Sequence, residues 1–267
     1  MKRLILTAAL LLGTLCLLNA QEIKSQWEGK KVAILGDSIS DPALAERSGW
    51  KCWWAYLEDM LGIDAISYAH NGWQMNGMVR QAENLYNERA MEFDAILVFC
   101  GTNDFNASIP LGEWYDEETL EVNKNGTVVS LRHRIPVMSD TTFCGRINIM
   151  MDYLRTTYPT KQVILITPIH RGYARFGETN VQPDELYSNA VGKYIDDYVE
   201  AIRQAGNVWS APVIDLFSTC GILPNNPEHG RYVNKTDTDR LHPSSEGHRR
   251  MAQAVAYQLI GYPSTCR

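Results

Sequence analysis

The stretch Val32-Ala33-Ile34-Leu35-Gly36-Asp37-Ser38-Ile39-Ser40 decides the fold. Its first four residues are apolar without interruption, so Lys31–Leu35 reads as a short strand buried on both faces. The strand stops at Gly-Asp-Ser. Gly36 permits a sharp turn and leaves Ser38 just beyond the carboxyl end of the strand, which is where open α/β sheets bind their ligands. A serine placed there can act as an acyl-accepting nucleophile if the chain also supplies a base, an orienting acid and an oxyanion hole. Gly, Asp and Ser are equally ordinary turn residues, so the rest of the chain has to decide.

Downstream, the apolar pattern alternates between the two regular periods. Ser48–Leu61 carries Trp50, Trp53, Trp54, Leu57 and Leu61 at helical spacing, and Ile63–Ala69 reads as a second strand closed by His70-Asn71-Gly72. Residues 77–90 read as a helix and Phe93–Cys100 as a third, strongly buried strand ending in Gly101-Thr102-Asn103-Asp104. The segment 105–140 is longer than an ordinary connection and marks an insertion. Its Lys124-Asn125-Gly126-Thr127 turn between apolar flanks predicts a small hairpin. Thr142–Tyr158 is helical, Gln162–Thr167 is a fourth strand ending in Pro168-Ile169-His170-Arg171, and Gly172–Val181 is a loop. Pro183 opens a predicted long helix to Ala205 with Leu186, Ala190, Tyr194, Ile195, Tyr198 and Ile202 as its stripe. Pro212–Leu216 is the fifth strand, Ser218–Asp239 is loop-rich, and Ser245–Leu259 is a closing helix with Ser245 as its cap. Strands alternating with helices imply an α/β fold with a five-stranded parallel sheet and helices on both faces, a flavodoxin-like three-layer α/β/α arrangement of order 2-1-3-4-5.

Bulk properties narrow the function. Met1-Lys2-Arg3, the apolar run Leu4–Leu18 and Leu18-Asn19-Ala20 form a secretory signal peptide cut after Ala20. The run is shorter than the ~20 residues of a membrane span. Leu15 before Cys16 fits a lipoprotein site poorly, so no stable membrane insertion is expected. The mature chain, residues 21–267, suits one domain, periplasmic or extracellular. Net charge is −6, or −8 without Lys2 and Arg3, and no basic run exists, which argues against nucleic acid as a partner. Five cysteines survive cleavage. Cys144, Cys220 and Cys266 are the expected members of one or two bridges, while Cys100, on an apolar strand, is expected as a buried thiol. No C-x-x-C pair, metal-ligand cluster or phosphate-binding glycine loop is present, so neither a metal nor another cofactor is expected.

The polar residues that gather at the strands' carboxyl ends carry the chemistry. Asp239 and His242, three apart in Asp239-Arg240-Leu241-His242-Pro243, can bring a carboxylate against one imidazole nitrogen and leave the other for the proton of Ser38. Imidazole titrates near neutrality, as a general base requires. Candidate oxyanion donors are the backbone N–H of Ser38, that of Gly72, and the Asn103 amide. Gly77 is a rival for Gly72.

Gly36-Asp37-Ser38, Ala69-His70-Asn71-Gly72, Gly101-Thr102-Asn103-Asp104 and Asp239-Arg240-Leu241-His242-Pro243 stand in one order along the chain, and together they resemble the four blocks of the SGNH hydrolase superfamily, the GDSL esterases and lipases. Ile39 stands where leucine is usual, and the second block is weak. The resemblance implies a serine nucleophile at Ser38, the pair Asp239 and His242, and oxyanion donors at Ser38, Gly72 and Asn103. It also implies ester, thioester or O-acetyl sugar substrates, so the expected partner is a small-molecule or glycan ester. Export and the tryptophans favour O-acetylated carbohydrate. A lipase, lysophospholipase or thioesterase acting on acyl chains and a non-catalytic carbohydrate-binding relative are the alternatives.

Candidate substrate contacts are Trp73 for stacking on a sugar ring, His170 and Arg171 for a hydroxyl or carboxylate, and Trp114 with Tyr115 for lining the pocket. Each has an ordinary structural role as its rival. Asp37 and Asp104 are expected to hold loops, His248 to be structural, and His133 and His229 to lie in surface loops.

Overall fold

The computed structural model describes residues 25–265. The signal peptide at 1–20, with Cys16, and Cys266 lie outside the described residues. Strand β1 is Lys31–Gly36, followed by helix α1 (Pro42–Ser48), α2 (Trp53–Leu61), β2 (Asp64–Ser67), α3 (Met78–Arg89), β3 (Ala95–Phe99) and α4 (Thr102–Asn106). Then come β4 (Tyr115–Lys124), β5 (Thr127–Pro136), α5 (Phe143–Thr157), β6 (Gln162–Ile166), β7 (Ala174–Arg175), β8 (Val181–Gln182) and α6 (Ile195–Trp209). The chain ends with β9 (Val213–Ile214), α7 (Leu216–Thr219), β10 (Val233–Lys235), β11 (Asp239–Pro243) and α8 (Ser245–Leu259).

Among the described residues, five parallel strands form the central sheet in the order β2-β1-β3-β6-β9, the predicted order in chain sequence. Side chains alternate across it with period two. Ala33, Leu35, Ile96 and Val98 join the core beneath α3, α5 and α6, and Val32, Ile34, Leu97 and Phe99 join the opposite core beneath α2 and α8. Both faces are covered, which is why β1 and β3 read as unbroken apolar runs. The chain leaves β1 toward β2 and then returns to place β3 on the other side. The carboxyl ends of β1 and β3 therefore flank the topological switch point where ligands bind in such sheets.

A second, smaller sheet, β10-β11-β7-β8, lies outside the main one. Its antiparallel register sets Asp239 of β11 opposite both Lys235 of β10 and Ala174 of β7. The predicted hairpin exists as β4 and β5, ten residues each, with Asn125 and Gly126 both at positive φ, 56° and 86°. Both central residues left-handed is the type I′ turn that matches strand twist.

The structure departs from the sequence pattern at several places. The helix predicted over 48–61 begins only at Trp53: Ser48 is the last residue of α1, Gly49 caps it with a left-handed φ of 74°, and Trp50 sits between the two helices rather than on one. The long helix from Pro183 begins only at Ile195. Asn189 turns the chain by accepting the N–H groups of Val191 and Lys193. Leu186, read as part of the buried stripe, is 72% exposed. Residues 172–181 are not all loop, since they contain β7 and start β8. Asp239 and His242 lie on a strand segment, not a free loop. The closing helix is capped by Ser244, whose hydroxyl accepts the Gly247 N–H, rather than by Ser245. Cys144 and Cys220 are buried free thiols, as are Cys52 and Cys100. Cys144 packs in the core on one face of the sheet and Cys220 in the core on the other, so no bridge can join them.

Candidate active site

The turn after β1 is built to present Ser38. Gly36 is bracketed by Gln81, whose amide accepts the Gly36 N–H and donates to its carbonyl, both at 2.8 Å. A Cβ at Gly36 would stand 2.7 Å from the Phe99 carbonyl oxygen of β3, so only glycine fits this close approach. Asp37 caps the short 3-10 turn Ser38–Ser40 by accepting the Ile39 N–H at 3.1 Å. The turn is locked from the far side, where the Trp53 indole donates to the Ser40 hydroxyl at 2.9 Å.

Ser38 Oγ lies 2.9 Å from His242 Nε2. His242 Nδ1 lies 3.1 and 3.0 Å from the two oxygens of Asp239. Asp239 is held in turn by the His242 backbone N–H at 3.0 Å and the Asn234 amide at 2.8 Å. Burial works against ionisation of Asp239, but the bonds from His242 and Asn234 outweigh it and keep the carboxyl below its ordinary value. A carboxylate bound at Nδ1 fixes the tautomer that leaves Nε2 free to accept a proton. The imidazole is also held by aromatic rings. Trp50 stacks on it with centroids 5.9 Å apart and Phe176 meets it edge-on at 5.3 Å. Behind Trp50, at 5.6 Å, lies His248, fully buried. Burial and the neighbouring His242 push its pKa down to about 3, so it stays neutral and structural, as expected.

Gly72 and Asn103 line the same cleft as Ser38 and His242. Gly72 has φ 78°, and its loop is tied down where the Asn71 N–H donates to Asp41 at 2.8 Å. The Asn103 amide donates to the Trp73 carbonyl at 2.9 Å. Gly77 is not in the cleft: a Cβ there would strike the Trp73 ring at 2.5 Å, which gives this glycine a packing role. Beneath the site, Asp104 accepts the Met75 N–H at 2.8 Å and pairs with buried Arg146 at 2.9 Å. Burial raises Asp104 to about 6 and Asp37 to about 7.

None of the five suggested substrate residues lines the cleft, and Tyr115, on β4, lies under the Arg134 guanidinium at 5.4 Å. Trp73 stacks on His70 beside the neighbouring hollow. Trp114 packs on the core and donates to Gln204. His170 is pinned between Glu185, at 2.9 Å, and the Phe217 ring, at 3.7 Å. Arg171 is buried, donating to Thr102 and Gln182. Each finds a protein partner before it can reach the cleft, a long-range fact no local spacing reveals. His133 pairs with Glu118 on the exposed hairpin, and His229 accepts the Leu223 N–H. The cleft, about 500 Å³, is walled instead by Trp50, Arg175, Phe176, Asn180, Asn234 and Lys235, which the sequence reading did not single out.

The sequence profile of the GDSL-like lipase/acylhydrolase family matches residues 34–250. The chain belongs to this family. Solved structures agree in fold. A protein from Lactobacillus plantarum superposes with a TM-score of 0.66 at 24% identity, covering 88% of this chain and 99% of its own. A possible lipase from Chitinophaga pinensis gives 0.64 at 22%, covering 87% and 99%. The lipase/acylhydrolase from Enterococcus faecalis gives 0.51 at 16%, covering 87% and 96%. A comparison with curated proteins finds no match. The GDSL chain is thus an ester hydrolase by family, on a three-layer α/β/α frame.

Proposed function

We propose that this GDSL-family chain is an exported serine esterase that removes small acyl groups, O-acetyl above all, from carbohydrate. One observation carries the serine mechanism: the continuous hydrogen-bonded relay from Ser38 through His242 to Asp239. Ser38 Oγ attacks the ester carbonyl carbon as its proton passes to His242 Nε2. Asp239 steadies the imidazolium that forms. The backbone N–H groups of Ser38 and Gly72 and the Asn103 amide stabilise the oxyanion. The tetrahedral intermediate collapses, His242 protonates the leaving alcohol, and the acyl group remains on Ser38. Water, deprotonated by His242, then releases the acid and restores the serine.

The cleft's chemistry supports a polar substrate. Most of its lining is polar, with Asn71, Asn180, Gln182, Asn234 and Thr238 among it, and its apolar side chains are only Leu44, Trp50, Phe176 and Leu241. Such a wall suits a hydroxyl-rich alcohol with a short acyl group better than an extended hydrocarbon chain. The N-terminal run Met1–Ala20 supports export.

A nitrophenyl ester series from acetate to long acyl chains, together with acetate release from acetylated oligosaccharides, tests the reading. It expects acetate to be preferred and activity to vanish in Ser38→Ala. Preference rising with chain length would point instead to a lipase, and glycan binding without any ester turnover would point to a non-catalytic relative.

A further inference from the structure

Two cations open onto the catalytic cleft without a protein partner. Arg175 and Lys235 both line it, yet among the described residues neither side chain meets a carboxylate, donates a hydrogen bond or sits over a ring. The one acidic residue in the lining is Asp239, whose oxygens are engaged by His242 and Asn234. The cleft therefore carries uncompensated positive charge in a chain whose net charge is −6.

Both cations stand on the backbone that holds the base. Lys235 is the register partner of Asp239 across β10 and β11. The Arg175 N–H donates to the Thr238 carbonyl at 2.8 Å, one residue before Asp239. Phe176, next in the chain, touches the His242 ring. A substrate group bound by these side chains is thereby placed beside the reacting ester rather than at a remote surface. Two unpaired cations lining one cleft attract anions and select against cations. The planar fork of Arg175 matches a carboxylate in two-point fashion, and Lys235 adds a second charge to the cleft from the other side of β11.

We propose that Arg175 and Lys235 form an anion subsite, and that the substrate is an acylated acidic saccharide whose uronate-type carboxylate binds there while its ester reaches Ser38. The proposal rests on the esterase reading above and narrows it.

The test compares acetylated oligogalacturonate with an acetylated neutral oligosaccharide of equal length. Wild type should favour the acidic substrate by about tenfold or more in kcat/KM, chiefly through KM, and the preference should shrink as salt is added. Arg175→Gln with Lys235→Gln should bring the ratio close to one. Equal turnover of the two substrates by wild type, or a ratio that survives the double substitution, overturns the subsite. Binding is read separately by calorimetry on Ser38→Ala, with unacetylated oligogalacturonate, its neutral counterpart and a sulfated oligosaccharide as probes. Tighter binding of the uronate supports the subsite. Equal binding of acidic and neutral probes overturns it, and tightest binding of the sulfated probe overturns the carboxylate assignment. A protein that binds uronate yet shows no Ser38-dependent hydrolysis would sink the esterase reading while leaving the anion subsite standing.

Discussion

Replacing Asp239 by Asn probes the relay without emptying the site. One carboxylate oxygen accepts the His242 and Leu241 backbone N–H groups at 3.0 and 3.3 Å. The other accepts the Asn234 amide at 2.8 Å and lies 3.0 Å from His242 Nδ1. In Asp239→Asn the amide oxygen keeps the backbone bonds, so the new NH2 must face Asn234 and His242. Facing Asn234, donor meets donor, which that side chain relieves by flipping its own amide. Facing His242, the new amide donates to Nδ1, which drives the imidazole proton onto Nε2. That tautomer points a hydrogen at Ser38 Oγ and cannot take the serine proton. The fold is expected to stay intact, since the bonds that shape the segment survive. The expected loss in kcat is on the order of ten-thousandfold, about 5 kcal/mol of barrier. The assay is initial-rate hydrolysis of nitrophenyl acetate, with circular dichroism to verify folding. A folded Asp239→Asn protein within about tenfold of wild type would refute the argument that this carboxylate sets the tautomer.

Other expectations follow from individual contacts. Asn103→Ala should lower kcat by about 10²–10³ with KM nearly unchanged, as loss of one oxyanion donor does; an unaltered kcat would remove Asn103 from the oxyanion hole. Gly36→Ala drives a Cβ to within 2.7 Å of the Phe99 carbonyl and should destabilise the fold by about 3 kcal/mol or yield insoluble protein, read by thermal melting. Asp37 is raised from 3.8 to about 7 by burial. The folded state therefore keeps a proton that the unfolded chain releases, so this contribution to stability is full below about pH 4 and is lost as pH rises through about 7. Asp37→Asn should flatten that fall, leaving the variant the more stable of the two at pH 8 by a few kcal/mol at most, and a Tm series over pH 5–8 that runs parallel for both proteins would contradict it.

What could be read from the sequence, and what could not, divides along local against long-range physics. Strand β1 and the turn at Gly36 were legible because both faces of the strand are buried and no polar residue breaks the run. Ser38, Asp239 and His242 were legible as a set because each sits in a short stretch with its own local geometry. The structure brings them to hydrogen-bonding distance across 204 residues of chain. Trp50 was misread because its spacing from Trp53, Trp54 and Leu57 fits a helix, while the left-handed Gly49 that ends α1 and sets Trp50 against His242 leaves no trace in periodicity. Leu186, Ala190 and Tyr194 counterfeit a helical stripe in the same way, in a segment whose backbone bonds go to Asn189 turns instead. Two of the suggested substrate contacts lie outside the cleft for a common reason. His170 and Arg171 follow a strand end as functional residues do, but the partners that claim them, Glu185 and Gln182, come from 15 and 11 residues further along the chain. Conversely, Phe176, Asn234 and Lys235 reach the site only because β7, β10 and β11 pair beside it, and pairing of such short strands is not written in hydrophobic alternation.

The central claim is that Ser38 is the nucleophile, and covalent labelling addresses it most directly. A fluorophosphonate probe reacts with a serine only where a base and an oxyanion hole activate it. Intact mass and peptide mapping should show one adduct per chain on the peptide containing Ser38, and none on Ser38→Ala. A wild-type protein that stays unlabelled, or a Ser38→Ala protein labelled as fully as wild type, would contradict the account.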